Sequence, residues 1–150
     1  MKKTLFVIAL AAMLLLPGVF ANGQQADDSH GFCDISGHWA EGAIGRMSAG
    51  GIVESAGDKR FQPDAGIKRS QFVSMLHKAL SIQIRYFRAP DITELFKDVK
   101  NDDRYARGLY DLVATGIVDD RVFFRPENTL AREEMAHYII KAYEYKASAA

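Results

Sequence analysis

Apolar residues recur at helical spacing in four separate stretches of this chain. The first stretch predicts a helix with Trp39 on its buried face, ended by glycine; its apolar positions are Trp39, Ala43, Ile44 and Met47. A second helix is predicted from about Lys68, with inward residues Phe72, Val73, Leu76, Ala79 and Leu80. A third helix carries Leu109, Leu112 and Val113, and a fourth, from about Ala131, carries Met135, Tyr138, Ile139 and Ala142. The pattern therefore predicts an all-α fold with short irregular loops.

The same order of residues occurs twice along the chain, in residues 32–80 and 96–145. The matching positions are Phe32 and Phe96, Asp34 and Asp98, Gly51-Ile52-Val53 and Gly116-Ile117-Val118, Phe61-x-Pro63 and Phe124-x-Pro126, and Arg69 and Arg132. A repeat of this kind indicates one supersecondary unit used twice, each copy burying part of its apolar face on the other. Repetition also argues against an enzyme with a single active site.

The chain begins with the three parts of a secretory signal peptide over residues 1–21. These parts are a basic start, an apolar run over residues 5–16 and a small-residue site that ends at Ala21. An uncleaved anchor helix is the alternative, but the run is shorter than the roughly 20 residues that span a bilayer. Residues 22–31 are polar and predict a flexible leader. We therefore expect an exported protein, either secreted or held in the cell envelope.

Residues 81–95 connect the two repeats and are too apolar for a free linker. Their large apolar side chains are Ile82, Ile84, Tyr86 and Phe87. We expect part of the connector to extend the preceding helix or to pack on it, before Pro90 forces a break.

Charge and composition exclude several classes of function. The chain has 19 basic and 19 acidic residues, so no basic stripe is left to follow a nucleic-acid backbone. Cys33 is the single cysteine, which rules out an internal disulfide. The spacing of His30, Cys33 and His38 matches no closed tetrahedral metal site, and no nucleophile–base pair or phosphate-binding loop stands out. We expect no metal, no cofactor and no catalytic residue.

Both units resemble the S-layer homology (SLH) repeat of bacterial envelope proteins. The motifs in the first unit are Phe32-x-Asp34-Ile35, His38-Trp39-Ala40, Gly51-Ile52-Val53, Phe61-x-Pro63-Asp64 and Ile67-x-Arg69. The resemblance implies two tandem helix–loop–helix repeats that share a small helical-bundle core. It also implies non-covalent anchoring to the cell wall. The expected partner is secondary cell-wall polysaccharide or another peptidoglycan-linked polymer, often with pyruvylated sugars, bound in grooves between adjacent repeats.

Under this resemblance the candidate glycan-binding residues are Asp34, Trp39, Arg69, Asp98 and Arg132. The two arginines begin the second helices, where a guanidinium and exposed backbone N–H groups favour a carboxylate. Trp39 could offer an apolar face to a sugar ring. Each residue also has a plainer interpretation: the arginines as surface charges, Trp39 as a core residue and the aspartates as helix caps. For Trp39 and the aspartates the plainer interpretation is favoured.

The chain also departs from the family pattern. Lys68 and Ala131 stand where a hydroxyl N-cap is usual, and Arg104 takes the place of the first repeat's tryptophan. SLH modules are commonly threefold, whereas two units are found here, so an apolar flank lacks an intramolecular partner unless the connector covers it. This predicts a homodimer or an envelope-protein partner. The alternative function is accordingly a protein–protein interaction or structural envelope protein whose repeats have lost glycan binding.

Overall fold

The computed structural model describes residues 31–54 and 58–148, so the predicted signal peptide and most of the predicted leader lie outside the described residues. Four α-helices follow one another in these described residues: α1 (Glu41–Ala49), α2 (Arg69–Leu80), α3 (Ala106–Ala114) and α4 (Arg132–Ser148), with a short 3₁₀ turn at Ile92–Glu94 before α3. No strand occurs among the described residues, and the predicted all-α fold is confirmed. Within the same residues no helix has both the length and the apolar character needed to cross a membrane.

The two repeats build their first helix in the same way. Helices α1 and α3 each contain nine residues, and each ends just before a glycine with positive φ, Gly51 at 68° and Gly116 at 72°. A residue with a side chain is disfavoured in that conformation, which explains the glycine. The following isoleucine N–H then turns back to a helical carbonyl at 2.9 Å in both repeats.

The second helices begin at the matching arginines, Arg69 and Arg132. In place of a hydroxyl N-cap on α2, the Gln71 side chain accepts a hydrogen bond from the Lys68 backbone N–H at 3.0 Å. This is half of a capping box, and it satisfies one backbone donor at the start of the helix.

The main apolar core lies between α2 and the second repeat, so the repeats share it. Helix α2 packs on α3. The most buried side chains of this core include Val73, Phe96, Leu109, Leu112 and Phe124. On the second helix of each repeat, one residue predicted to face inward is exposed instead: Ala79 on α2 and Ile139 on α4.

A buried carboxylate ties α2, the connector and α3 together. Asp111 on α3 is almost fully buried and lies 2.9 Å from Nε2 of His77 on α2. It also accepts hydrogen bonds from the Tyr86 hydroxyl at 2.9 Å and from Nε of Arg107 at 3.1 Å. Burial, and then the neighbouring Asp111, raise the pKa of Tyr86 to about 12, so its hydroxyl remains a donor at neutral pH.

A short backbone contact, here called the inter-repeat clasp, joins residues 67–70 to residues 126–130. Its members are the hydrogen bonds Arg69 N to Asn128 O (2.9 Å), Ser70 N to Pro126 O (3.1 Å) and Leu130 N to Ile67 O (2.9 Å), and an antiparallel bridge between Lys68 and Thr129. The clasp needs a glycine beside it, because a Cβ on Gly66 would lie 2.8 Å from Cγ2 of Thr129.

The connector packs on the core but does not extend α2. Ser81 adopts a left-handed conformation (φ 53°) and ends the helix. Ile82 is buried in the core and Ile84 packs against it, as expected, whereas Phe87 is fully exposed. Ile82 and Ile84 therefore belong to the core that the two repeats share.

The predicted burial of Trp39 is wrong. Helix α1 begins two residues later, at Glu41, and the Trp39 side chain is 90% exposed, with its ring centroid 5.4 Å from that of His38. The cause is a turn before the helix, closed by the His38 N–H bonding to the Ile35 carbonyl at 3.0 Å. The turn moves Trp39 off the helical face on which the spacing had placed it, and Ala43 is exposed as well.

Candidate functional site

The aspartate that opens the second repeat holds the loop before α4. One Asp98 carboxylate oxygen accepts a hydrogen bond from the Phe124 backbone N–H at 2.8 Å, and the other accepts from Arg125 at 2.7 Å. Arg125 has a positive φ of 59°, a costly conformation for a residue other than glycine. The carboxylate therefore stabilises a strained turn, and the Phe96 ring packs edge-on against Phe124 beside it at 5.5 Å.

The first repeat contains the same arrangement. Asp34 accepts hydrogen bonds from the backbone N–H groups of Phe61 and Gln62, both at 2.8 Å, and Gln62 again has a φ of 59°. The bond from Phe61 is the main cause that lowers the pKa of Asp34. The predicted role of Asp34 and Asp98 as caps of the first helices is wrong, because α1 and α3 have no side-chain cap. Both carboxylates shape a loop wall instead.

Arg69 is buried between the repeats, where it contacts the second repeat with nearly all of its guanidinium. Its Nε donates to the Phe124 carbonyl at 2.6 Å, Nη1 donates to Glu134, and Nη2 lies 3.3 Å from the Tyr138 hydroxyl. The guanidinium carbon also lies 4.8 Å from the centroid of the Phe124 ring, a cation–π distance. Arg69 therefore has little capacity left for a ligand.

The ionisation of this buried pair follows from its contacts. Burial alone would raise the pKa of Glu134, but its bonds to Arg69 and Tyr138 outweigh burial and lower it. Burial likewise opposes the charge on Arg69, and Glu134 and Tyr138 reverse that effect and raise its pKa. Both groups are therefore charged at neutral pH and hold the repeats together.

Arg132 occupies the matching position on α4 but lies in solvent. Its side chain is exposed and forms no hydrogen bond or ion pair with the residues that the structure describes. The five predicted residues are thus not brought into one site. The aspartates lie in separate loops, Trp39 projects from a turn, and Arg69 is enclosed in the interface.

A groove of about 730 Å³ lies beside the first repeat and contains none of the five predicted residues. Its walls are the loop that ends near Gly66, the outer side of α2, and Arg104 with Tyr105 from the second repeat. Its polar and aromatic lining includes Arg60, Phe61, Gln71, Ser74, Arg104 and Tyr105. The groove therefore spans the junction between the repeats.

The groove has a small excess of positive charge, because Arg60, Lys78 and Arg104 line it together with Glu54 and Asp58. Lys78 pairs with Glu54 at 2.6 Å, and this hydrogen bond is the main cause that lowers the pKa of Glu54. The guanidinium groups of Arg60 and Arg104 are exposed and make no hydrogen bond or ion pair with the described residues. Two unpaired guanidiniums suit a carboxylate, because each presents a planar fork of donors.

The aromatic side chains add an apolar surface to the same groove. The Phe61 ring is held against Phe32 at 5.3 Å, and the Tyr105 hydroxyl contacts Asp103 at 3.2 Å. Burial is the main cause that raises the pKa of Tyr105, so this residue stays a neutral phenol. Rings beside guanidiniums and amides form a surface suited to a sugar that carries an acidic group. Among the described residues no group of three or more side chains could hold a metal ion.

Sequence reasoning missed most of the groove. Arg104 was visible only as a departure from the tryptophan of the first repeat, and Arg60, Gln71 and Tyr105 belong to no repeated motif. The one available signal was that two basic residues, Arg60 and Arg104, stand at positions where the two repeats have different residues. The folded chain shows that both places border the same groove.

Comparison with known proteins agrees with the repeat pattern. The family model described as S-layer homology domain matches residues 31–73 and 95–136. The exoglucanase XynX of Acetivibrio thermocellus is 32% identical over 114 residues, which cover 75% of this chain and 10% of that protein. The amylopullulanase of Thermoanaerobacterium thermosulfurigenes is 31% identical, covering 75% of this chain and 6% of its own length. The cellulosome-anchoring protein of A. thermocellus is 38% identical over 47 residues, covering 31% of this chain and 10% of its own.

These relatives are much longer proteins, of which the chain spans a tenth or less. The enzyme names of the first two therefore describe proteins that share only this portion with the chain. No solved structure gave a significant match. The two family matches together cover more than half of the chain and coincide with the two helix–loop–helix units. The chain belongs to the S-layer homology domain family.

Proposed function

We propose that this protein is a non-enzymatic anchoring module that binds an acidic cell-wall polysaccharide in the groove between its repeats. The observation that carries the proposal is the pair of unpaired guanidiniums, Arg60 and Arg104, beside aromatic and amide side chains. Family membership and the relative named as a cellulosome-anchoring protein support a location at the cell surface. The predicted signal peptide over residues 1–21 provides the route of export.

Charge and shape both favour a polymer with carboxylate-bearing sugars. A carboxylate bound between two guanidiniums makes charge-assisted hydrogen bonds, which contribute about 1.5–3 kcal/mol each. The groove is open to solvent and lies at the surface, so a chain can enter from the side rather than end-on. Phe61 and Tyr105 supply the apolar face against which a sugar ring packs.

Of the five residues predicted from the sequence, three act here through the groove's framework. Asp34 fixes the loop that carries Phe61. Arg69 fixes the second repeat against the first, and Asp98 holds the loop whose Phe124 carbonyl accepts from Arg69. Trp39 and Arg132 are exposed and stay separate candidates for direct contact with the polymer.

A sedimentation assay with purified sacculi tests the proposal. Processed protein (residues 22–150) is mixed with sacculi that keep their secondary polymer and with sacculi from which acid has removed it. We expect binding only to the former, and we expect the combined change Arg60→Ala and Arg104→Ala to weaken binding at least about a hundredfold, from two lost charge-assisted contacts.

Arg85→Ala is the matched control, because Arg85 is exposed in the connector and does not line the groove. It should bind as the unchanged protein does. Equal binding to stripped sacculi, or full binding by the double variant, would reject the groove as the polymer site. Trp39→Ala and Arg132→Ala in the same assay show whether either residue adds a contact outside it.

A second function, protein–protein interaction, is favoured by one specific observation. Helix α4 exposes three large apolar side chains on one side: Ile139, Ile140 and Tyr143. Contiguous apolar surface of this kind marks a contact with another molecule.

A further inference from the structure

Gln71 on α2 stands at a position where the two repeats differ in charge. When α2 and α4 are aligned from their first residues, Gln71 matches Glu134. The Glu134 carboxylate is bonded to Arg69 between the repeats. Gln71 is exposed instead, and it lines the groove that we assign to the polymer. The same helix position therefore supplies an acid to the repeat interface and an uncharged amide to the groove.

The start of α2 determines which end of the Gln71 amide is left for a ligand. Its Oε1 accepts a hydrogen bond from the Lys68 backbone N–H at 3.0 Å. Only the oxygen of an amide side chain accepts hydrogen bonds, so this backbone donor fixes how the amide is oriented. The two N–H donors of Nε2 form no hydrogen bond with the residues that the structure describes. The part of the amide left for a ligand is therefore its pair of donors.

The charges that line the groove are so nearly balanced that one residue can cancel the excess. The lining contains three basic side chains and two acidic ones, which leaves an excess of one positive charge. Lys78 and Glu54 neutralise each other, because they pair at 2.6 Å. The excess therefore lies with the guanidiniums of Arg60 and Arg104. A carboxylate in place of the Gln71 amide would remove it.

We propose that Gln71 is a specificity-determining residue of the groove, which selects carboxylate-bearing sugars by adding amide donors beside the two guanidiniums without cancelling their charge. This inference rests on the proposed function, because it concerns the same groove. A carboxylate accepts hydrogen bonds from an amide as well as from a guanidinium, and such bonds are stronger than those between neutral groups. Gln71→Glu would remove both donors and would repel the charge of the ligand.

The structural role of the Gln71 side chain can be separated from its role in binding. In Gln71→Glu a carboxylate oxygen still accepts from the Lys68 N–H, and an acid in the first turn of a helix is favourable. Gln71→Ala loses this bond, so it should be the less stable of the two variants. Binding should follow the opposite order, because Gln71→Ala loses the donors without adding a repulsive charge. A residue that acted only on the stability of α2 would not give opposite orders.

Thermal melts and cosedimentation of residues 22–150 with sacculi that keep their secondary polymer test both orders. Gln71→Glu should bind at least about tenfold more weakly than the unchanged protein, from lost charge-assisted bonds and added repulsion. The affinity of Gln71→Ala should lie between the two. Gln83→Glu is the matched control, because Gln83 is exposed in the connector, lies outside the groove and undergoes the same change of charge. It should bind as the unchanged protein does.

Removing the charge of the polymer gives the decisive result. Sacculi whose carboxyl groups have been activated with carbodiimide and reduced to alcohols cannot repel an added carboxylate, so Gln71→Glu and Gln71→Ala should bind them weakly and alike. Intact sacculi that bind Gln71→Glu as tightly as the unchanged protein would overturn this inference and leave the proposed function standing. A difference between the two variants that persists on reduced sacculi would also overturn it. If the unchanged protein binds intact and stripped sacculi equally, both the inference and the proposed function are wrong.

Discussion

Replacing Arg69 by alanine should strongly destabilise the chain, because this side chain links the two repeats from a buried position. The change removes hydrogen bonds to the Phe124 carbonyl, to Glu134 and to the Tyr138 hydroxyl, together with the cation–π contact on Phe124. It also leaves the Glu134 carboxylate largely buried without its cationic partner. The loss therefore combines missing bonds with an uncompensated charge.

The magnitude follows from the burial of the pair. Removing one partner of a buried ion pair costs about 3–5 kcal/mol. The side chains of Arg69 and Glu134 keep 11% and 21% of their exposure, so water stabilises the remaining carboxylate in part. We therefore expect a loss near the lower limit, about 3 kcal/mol, which corresponds to about 10 °C in Tm for a domain of this size.

Urea denaturation followed by circular dichroism at 222 nm measures the effect, at one low protein concentration for all variants. The matched control is Arg132→Ala, which removes the same side chain from the matching helix start. Because Arg132 is exposed and unpaired among the described residues, its removal should change the free energy of unfolding by less than about 0.5 kcal/mol. If both variants lose the same stability, or Arg69→Ala loses less than about 1 kcal/mol, the inter-repeat role of Arg69 is refuted.

Two further predictions concern packing and pH. Gly42→Ala should stabilise the chain by about 0.5–1 kcal/mol through helix propensity, since the new Cβ would meet only the mobile end of Arg46 at 3.6 Å. Gly108→Ala should destabilise the chain, because the new Cβ would lie 3.1 Å from the His77 ring. Thermal melts of both variants check that the two changes have opposite signs. The pKa of Glu134 is lower in the folded chain than its ordinary value of 4.5, so its ionised carboxylate stabilises the fold at pH values above 4.5. This stability is lost as the pH falls through the lower folded pKa. The free energy of unfolding of the unchanged protein should therefore exceed that of Glu134→Gln by less and less in urea titrations below pH 4.5. An advantage that is constant with pH would contradict this assignment.

The helices could be predicted from the sequence because their apolar spacing and terminal glycines are local signals. The order α1 to α4 and the starts of α2 and α4 follow the pattern closely. Trp39 was misplaced because the same spacing also fits a residue in a turn just before a helix. Periodicity cannot tell these apart, since the turn depends on a bond between His38 and Ile35 rather than on composition.

The functional residues were harder to predict because their roles depend on contacts distant in sequence. Asp34 and Asp98 accept from N–H groups in loops that follow the first helices, so no local motif reveals the bond. Arg69 and Arg132 have matching sequence positions but opposite environments, because a following repeat encloses only the first of them. Repetition predicts equivalent backbones; it does not predict equivalent neighbours.

The inter-repeat clasp determines how the folded chain responds to tension. A pull between residues 31 and 148 would pass along the backbone to residues 67–70 and then directly across the clasp to residues 126–130. The segment between these two points, which contains α3 and much of the core, is a closed loop that bears no load while the clasp holds. Extension of the chain by force should therefore proceed first through the segments outside the clasp, and then release the whole enclosed segment in one abrupt lengthening.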